Sequence, residues 1–130
     1  MLTKLSIVTI LVRDQDEALQ FYTEKLGLEK KDDMKFGEER WLTVAASEQK
    51  DLEIFLARAD SFGMDLMAHV GKAPAWAFST DNCQETYETL SARGVKFTSA
   101  PEEKPWGIQA VFEDLYGNKF SIVQEPAPAQ

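Results

Sequence analysis

The chain has 130 residues, 44% of them hydrophobic and 28% charged, and a formal net charge of -8 at pH 7. This size suffices for one compact domain or two small modules, and no apolar run approaches the roughly 20 residues of a membrane span. The negative charge disfavours contact with phosphate backbones and anionic lipid, so neither nucleic acid nor membrane is expected as a partner.

The first half of the chain predicts the element order β-α-β-β-β. Residues 5–12 are rich in β-branched side chains and form a strand-length run. Asp14 and Glu17 make a helix-capping pattern, and Gly27 ends the predicted helix over residues 15–26. Three further strands are predicted over residues 28–36, 40–46 and 51–57.

The second half predicts the same order after an irregular connector. The connector covers residues 58–73 and contains a predicted helical turn near 65–70. Asp81 or Asn82 caps a helix that runs to Arg93, and Gly94 ends it as Gly27 ends the first helix. Strands are predicted over 75–79, 95–98, 108–112 and 119–123, with a loop over 101–105 and a hairpin turn around 114–118.

The chain is therefore predicted to be a tandem repeat. An offset of about 68 residues superposes Ile7 on Ala75 and Glu53 on Ser121, with one residue of slippage inside the helix. The predicted organisation is one domain of two βαβββ modules, at about 4–57 and 74–124, with a frayed tail over 125–130.

The compartment is predicted from the cysteine content and the N-terminus. Cys83 is the single cysteine and cannot form an intramolecular disulfide, which agrees with a reducing compartment. Residues 1–4 lead directly into a strand and do not resemble a signal peptide. We therefore expect a cytoplasmic protein in which Cys83 is a small helical residue and not a nucleophile.

Four short segments carry a resemblance to a known family. They are residues 12–14, 18–22 and 26–28 near the start of the chain and 112–118 near its end. In this order and spacing they resemble the vicinal oxygen chelate superfamily, which contains glyoxalase I, extradiol dioxygenases and the bleomycin-resistance proteins. The resemblance spans residues 5–124. It implies an α+β fold in which each module bends its mixed sheet into half of an open barrel around a cavity, and often a homodimer.

The resemblance also implies four metal-ligand positions, which in the enzymes of the superfamily carry His and Glu. Here Ile7 and Ala75 stand at the two histidine positions and Ser121 at the final glutamate position, so only Glu53 keeps a carboxylate. His69 lies in the connector and is expected to be a solvated or hydrogen-bonded loop residue. Because Zn²⁺, Fe²⁺ and Ni²⁺ need three or four donors, no metal and no other cofactor is expected.

The side chains that alternation along the strands points into the predicted cavity are mostly apolar. Glu53 stands out among them, as a hydrogen-bonding anchor or general base if it faces inward and as a solvated residue if it lies at the rim. Trp41 and Trp106 suit an aromatic wall but could also be structural, and Trp76 is expected to point toward the helix. The predicted ligand-binding residues are Ile7, Thr9, Trp41, Glu53, Phe55, Ala75, Trp106 and Ser121.

Two functions of different classes follow from this pattern. The favoured hypothesis is a metal-free protein that binds a small apolar or aromatic molecule in the barrel cavity. The alternative is a glyoxalase- or dioxygenase-type enzyme, a lyase, isomerase or oxygenase, with Glu53 as a base or as part of an unrecognised metal site. The sequence does not identify the ligand.

Overall fold

The computed structural model describes residues 1–63, 65–73 and 75–126; part of the predicted tail lies outside these ranges. No helix in the described ranges has the length and apolar character needed to cross a membrane. The strands are β1 (Ile7–Val12), β2 (Glu29–Phe36), β3 (Glu39–Ala45), β4 (Glu53–Arg58), β5 (Trp76–Ser79), β6 (Lys96–Lys104), β7 (Gly107–Glu113) and β8 (Lys119–Gln124), and the helices are α1 (Gln15–Gln20) and α2 (Cys83–Ala92).

The strands form two four-stranded mixed sheets with the same topology. Sheet 1 has the order β1-β4-β3-β2 and sheet 2 the order β5-β8-β7-β6. In each sheet the first pair is parallel and the other two are antiparallel. The predicted α+β fold of two βαβββ modules is thereby confirmed. The chain separates into two compact units, Met1–Ala73 and Pro74–Gln130, which we call module 1 and module 2.

Both helices begin at the capping residues that the sequence indicates. The Asp14 carboxylate accepts a hydrogen bond of 3.0 Å from the Glu17 amide, and the Asn82 side chain accepts one of 3.0 Å from the Glu85 amide. Each cap satisfies one of the amides that a helix N-terminus leaves without a partner. The two helices therefore start at equivalent points of the repeat.

The first helix differs from the second by a π-helical turn. α1 continues without a break into the π turn Phe21–Lys25, in which the Leu26 amide donates to the Phe21 carbonyl at 3.2 Å. Asn82 follows Asp14 by 68 residues, whereas Gly94 follows Gly27 by 67. Module 1 thus carries one extra residue between cap and stop, and the wider π turn accommodates it.

The core of module 1 lies between α1 and one face of sheet 1. Alternate residues of the strands are buried on this face, as their period of two requires. Ala18, Phe21 and Tyr22 of the helix are buried as well. The fully buried strand residues of this face are Ile10, Val12, Leu42, Val44 and Leu56.

The core of module 2 is aromatic. Phe112 packs against Phe120 with ring centroids 5.5 Å apart and against Phe97 at 5.6 Å. Tyr87 of α2 meets Phe97 edge to face at 4.7 Å, so the helix covers this face of sheet 2. Cys83 is buried in the first turn of α2, as expected, and burial raises the pKa of its thiol.

The predicted loop over residues 101–105 is wrong. Strand β6 continues to Lys104, and only Pro105 and Trp106 form the turn to β7. Proline normally marks a loop, but Pro101 lies in a strand at the end of its sheet, where one backbone side needs no ladder hydrogen bond. Two register irregularities between Phe97 and Glu102 accompany it.

The predicted hairpin between β7 and β8 is present. Its turn is organised by Asp114, whose Oδ1 accepts hydrogen bonds of 2.8 Å from the amides of Tyr116 and Asn118. The Asn118 side chain donates to the other carboxylate oxygen, also at 2.8 Å. The buried carboxylate thereby fixes the turn and the pairing of β7 with β8.

Candidate functional site

Sheet 1 has a second face, opposite α1, which we call the open face. In the sheet register Ile7 pairs with Glu53, and Phe55 pairs with both Thr9 and Thr43. Paired residues point to the same side of a sheet, and residues two apart on one strand share a side. All five predicted ligand-binding residues of module 1 therefore lie on the open face: Ile7, Thr9, Trp41, Glu53 and Phe55.

Three aromatic rings meet on the open face. Trp41 stacks on Phe55 with centroids 4.2 Å apart and planes at 30°, and Phe62 meets Phe55 edge to face at 6.1 Å. Phe55 is almost completely buried, whereas Phe62 keeps 45% of its surface exposed. The sequence gives no sign of Phe62 as a site residue, because it lies in the connector, where no strand periodicity indicates the direction of its side chain.

Phe62 has a strained backbone and is held on this face by its contacts. Its φ is 52°, in the left-handed region, which costs a non-glycine residue about 1–2 kcal/mol. Its amide donates a 2.8 Å hydrogen bond to Glu39 Oε2, and its ring contacts Phe55. Strain of this kind persists where surrounding contacts fix the residue, and it occurs often at binding sites.

Glu53 is the carboxylate of the open face. It is half-buried, and its Oε1 lies 2.5 Å from the hydroxyl oxygen of Thr43, which is fully buried. The same hydroxyl oxygen accepts a 3.0 Å hydrogen bond from the Asp32 amide. Since an amide N–H can only donate, the Thr43 hydroxyl uses its single proton for Glu53. Glu53 is thus fixed as a hydrogen-bond acceptor.

The register corrects the superposition of Glu53 on Ser121. Ser121 pairs with Ala77, which follows Thr9 by 68 residues, and the partner of Thr9 is Phe55. The counterpart of Ser121 is therefore Phe55 and not Glu53. The offset of about 68 residues holds for β1 and β5 but not for β4 and β8, because the connections before these two strands differ in length. A shift of two residues leaves each side chain on the same face of the sheet, so the sequence pattern does not reveal it.

The predicted ligand-binding residues of module 2 do not form an aromatic cluster within that module. Ala75 is exposed ahead of β5, and Ser121 is half-buried. Trp106 lies at the tip of the β6–β7 hairpin, 55% exposed, and its indole donates to the Gln109 side chain at 2.9 Å. Trp76 pairs with the buried Phe120, on the α2 side as expected.

The donor set does not fit the metal that the fold family implies. Glu53 pairs with Ile7, whose alkyl side chain cannot act as a ligand. In the described ranges no group of three or more His, Cys, Asp or Glu side chains could hold a metal ion. His69 lies in the short 3-10 turn Met67–His69 and is exposed. We therefore assign no metal-dependent step to this chain.

Module 1 also contains a polar cleft of about 580 Å³ beside the start of α1. The buried Gln15 side chain donates to the carbonyls of Leu56, at 2.8 Å, and Arg40, at 3.1 Å. Four basic and four acidic side chains line the cleft. Its lining comprises Arg13, Asp14, Gln15, Asp16, Lys35, Gly37, Glu38, Glu39, Arg40 and Arg58.

Comparison with known sequences identifies related proteins over nearly the whole chain. A sequence model of the Glyoxalase/Bleomycin resistance protein/Dioxygenase superfamily matches residues 4–122. The uncharacterized protein YurT of Bacillus subtilis (strain 168) is 36% identical over 128 residues, which cover 94% of this chain and 99% of that protein. YetH of the same organism, also uncharacterized, is 32% identical over 94% of this chain and 98% of its own.

Solved structures agree with this match. UcmS2 is 39% identical and superposes with a TM-score of 0.86 over 96% of this chain and 100% of its own. TnmS3, an antibiotic binding protein from Streptomyces sp. CB03234, is 27% identical, with a TM-score of 0.83 over 96% of this chain and 98% of its own. A superfamily member from Sphaerobacter thermophilus DSM 20745 is 32% identical, with a TM-score of 0.79 over 95% of this chain and 98% of its own.

Proposed function

Because this chain belongs to the Glyoxalase/Bleomycin resistance protein/Dioxygenase superfamily, we propose that it binds a small planar molecule, apolar or aromatic, on the open face of module 1. The observation that carries the proposal is the stack of Trp41 on Phe55 at 4.2 Å, with Phe62 held beside it. Aromatic side chains supply large apolar contact areas, and stacked rings contribute about 0.5–1.5 kcal/mol beyond burial. A planar ligand ring would extend this stack.

Exposed apolar side chains around the stack support the proposal. Met34 and Phe36 of β2 lie on the open face, since they pair with Trp41 and Glu39 of β3. They are 48% and 57% exposed, and Phe62 is 45% exposed. Contiguous apolar surface of this kind is typical of sites that bind a ligand or a partner.

Binding is preferred here to metal-dependent catalysis. The ligand positions of the superfamily enzymes carry Ile7, Ala75 and Ser121 in this chain, which supply no strong donor. TnmS3, which has the same fold and is 27% identical, is an antibiotic binding protein. A turnover reaction that uses Glu53 as a base without a metal is the alternative.

Ligand contacts from module 2, a homodimer and a cytoplasmic location complete the proposed function. We infer that Ala75, Trp106 and Ser121 of module 2 also take part in ligand binding, as the sequence predicts. We also infer a homodimer. The buried free thiol of Cys83 supports a cytoplasmic location, where cysteines stay reduced.

The three tryptophans provide the test. Protein labelled with 5-fluorotryptophan gives one ¹⁹F resonance for each indole, assigned by single Trp→Phe variants. Titration with 1-naphthalenemethanol, a neutral planar probe, is expected to shift the Trp41 resonance saturably. Phe55→Leu should weaken binding by up to about tenfold, because it removes one ring of the stack.

Trp76→Phe is the matched control, since Trp76 lies on the opposite, helix side of its own sheet. This variant should bind the probe as the unmodified protein does. A titration that shifts the Trp76 resonance but not that of Trp41, or that shifts none, would contradict the proposed site.

A further inference from the structure

We propose that Glu53 selects ligands in which a planar ring carries a protonated amine, and that Thr43 is the residue that positions Glu53 for this purpose. The inference rests on the proposed function, because it names the ligand class of the same open face. It is carried by the hydrogen bonds of Thr43, which arise from an irregularity in strand β2.

The Thr43 hydrogen bonds originate in the pairing of β2 with β3. The pairing of β2 with β3 is regular except for a shift between Lys30 and Asp32. A bulge of this kind removes an amide from the ladder and changes the direction of neighbouring side chains. The Asp32 amide donates instead to the Thr43 hydroxyl oxygen at 3.0 Å. The orientation of the hydroxyl is thereby determined by the backbone.

The oriented Thr43 hydroxyl holds one oxygen of the Glu53 carboxylate. The Thr43 hydroxyl donates its proton to Glu53 Oε1. The two oxygen atoms are 2.5 Å apart, within the range of O–H···O⁻ bonds to a carboxylate. Because Thr43 is fully buried, its side chain has a fixed position and restricts the position of the Glu53 carboxylate. Glu53 Oε2 receives no hydrogen bond from the described part of the chain, and Glu53 takes part in no ion pair there. One carboxylate oxygen is held, and the other remains available to a ligand.

The Glu53 carboxylate lies on the same face of sheet 1 as the stacked rings. Glu53 and Phe55 are two residues apart on β4, so their side chains leave the same face about 7 Å apart. A ligand ring stacked at Trp41 and Phe55 would therefore bring a substituent one or two bonds long close to Glu53. A half-buried carboxylate that takes part in no ion pair within the described residues favours a cationic substituent over a neutral one, and a neutral one over an anion.

The test compares three probes that share one ring. They are 1-naphthylmethylamine, which is protonated at neutral pH, 1-naphthalenemethanol, which is neutral, and 1-naphthaleneacetate, which is an anion. Affinities are measured by calorimetry, with the Trp41 ¹⁹F resonance as the reporter of the site. In the unmodified protein the amine should bind about tenfold more tightly than the alcohol, and the anion more weakly than either.

Variants of the two residues separate charge from position. Glu53→Gln should abolish the preference for the amine, because the glutamine side chain still accepts a hydrogen bond but carries no charge. Thr43→Val, which keeps the side-chain shape, should reduce the amine preference, and Thr43→Ser, which restores the hydroxyl, should recover it. A merely structural role for Thr43 would instead change the affinity for both probes alike.

The outcomes distinguish this inference from the proposed function. If none of the probes shifts the Trp41 resonance, the proposed function fails. If amine and alcohol bind equally well to the unmodified protein, or if Glu53→Gln preserves the preference for the amine, only the present inference fails. The preference of the unmodified protein decides the question even if a Thr43 variant does not fold.

Discussion

At the scale of single residues, Arg40 links three parts of module 1. Its guanidinium donates two hydrogen bonds to the Asp33 carboxylate, at 2.8 and 2.9 Å, and one to Asp16 at 2.7 Å. The bidentate geometry matches the fork of a guanidinium to a carboxylate. The Asp33 carboxylate is 24% exposed, and the hydrogen bonds from Arg40 lower its pKa. Arg40 thereby joins the β2–β3 hairpin to the start of α1.

The lowered pKa of Asp33 predicts a pH dependence of stability. Asp33→Asn should reduce the free energy of unfolding by about 1–2 kcal/mol at neutral pH, because it removes a charge-assisted bidentate pair. The folded-state pKa lies below the unfolded one, so the contribution is complete above about pH 4 and is lost as the pH falls through the folded value. Urea unfolding of both proteins across this range checks the prediction.

Asp60→Asn is the matched control for Asp33→Asn. Asp60 also accepts a hydrogen bond from an arginine, Arg58, at 2.6 Å, but its side chain is 57% exposed. Exposed pairs contribute little, so this variant should lose less than about 0.5 kcal/mol. Two results would contradict the role given to the Arg40–Asp33 pair. One is an equal loss of unfolding free energy in the two variants, and the other is a loss in Asp33→Asn that persists at pH values below the folded-state pKa of Asp33.

At the scale of elements, the π turn accommodates the one residue by which the first helix is longer than the second. Three residues separate the buried Tyr22 from Leu26, whereas two separate the buried Leu90 from Arg93 in the second helix. Repeats that start and stop at equivalent caps can absorb such a surplus only by widening one turn. The sequence shows the surplus as a slip in the repeat offset but does not show which turn accommodates it.

Deletion of Glu24 should therefore be tolerated. Glu24 is exposed within the π turn, and its removal restores the spacing that the second helix already has. The variant should fold, with a melting temperature within about 5 °C of the unmodified protein. Deletion of the exposed Glu88 from α2 is the control, because it rotates the rest of a regular helix by about 100° and should abolish folding. If both deletions destabilised the protein equally, the π turn Phe21–Lys25 would not contain an extra residue that the fold can lose.

At the scale of the whole molecule, the repeat was predictable and the site only partly so. Caps and stop glycines signal the two βαβββ modules directly, and the superfamily resemblance that they support is confirmed. Strand 101–104 was missed because Pro101 resembles a loop marker, although the end of a sheet tolerates it. The Asp32–Thr43–Glu53 chain of hydrogen bonds was not predictable, since a bulge and a register depend on pairing between distant segments.

The donor chemistry of both modules leads to a last prediction, about metals. The resemblance places Ile7, Ala75 and Ser121 at metal-ligand positions, and the register gives Phe55 as the module 1 counterpart of Ser121, with Glu53 two residues away on β4. A resident divalent ion at one hundred times its Kd would stabilise the folded state enough to raise Tm by roughly 10 °C. Because the chain offers one weak hydroxyl donor at these positions and one carboxylate beside them, we expect Zn²⁺, Ni²⁺ and Mn²⁺ to leave Tm unchanged relative to EDTA.

A designed site shows whether the melting assay would detect such an ion. Gln84 and Glu88 are exposed, lie one turn apart on α2 and are joined by a 2.9 Å hydrogen bond. Gln84→His combined with Glu88→His places two imidazoles on one helix face, a pair that binds Zn²⁺ and Ni²⁺, so this variant should melt at a higher temperature when either ion is added. A metal-dependent rise in the unmodified protein that Glu53→Gln removes would instead reveal a site built around Glu53, and the enzyme alternative would then be preferred.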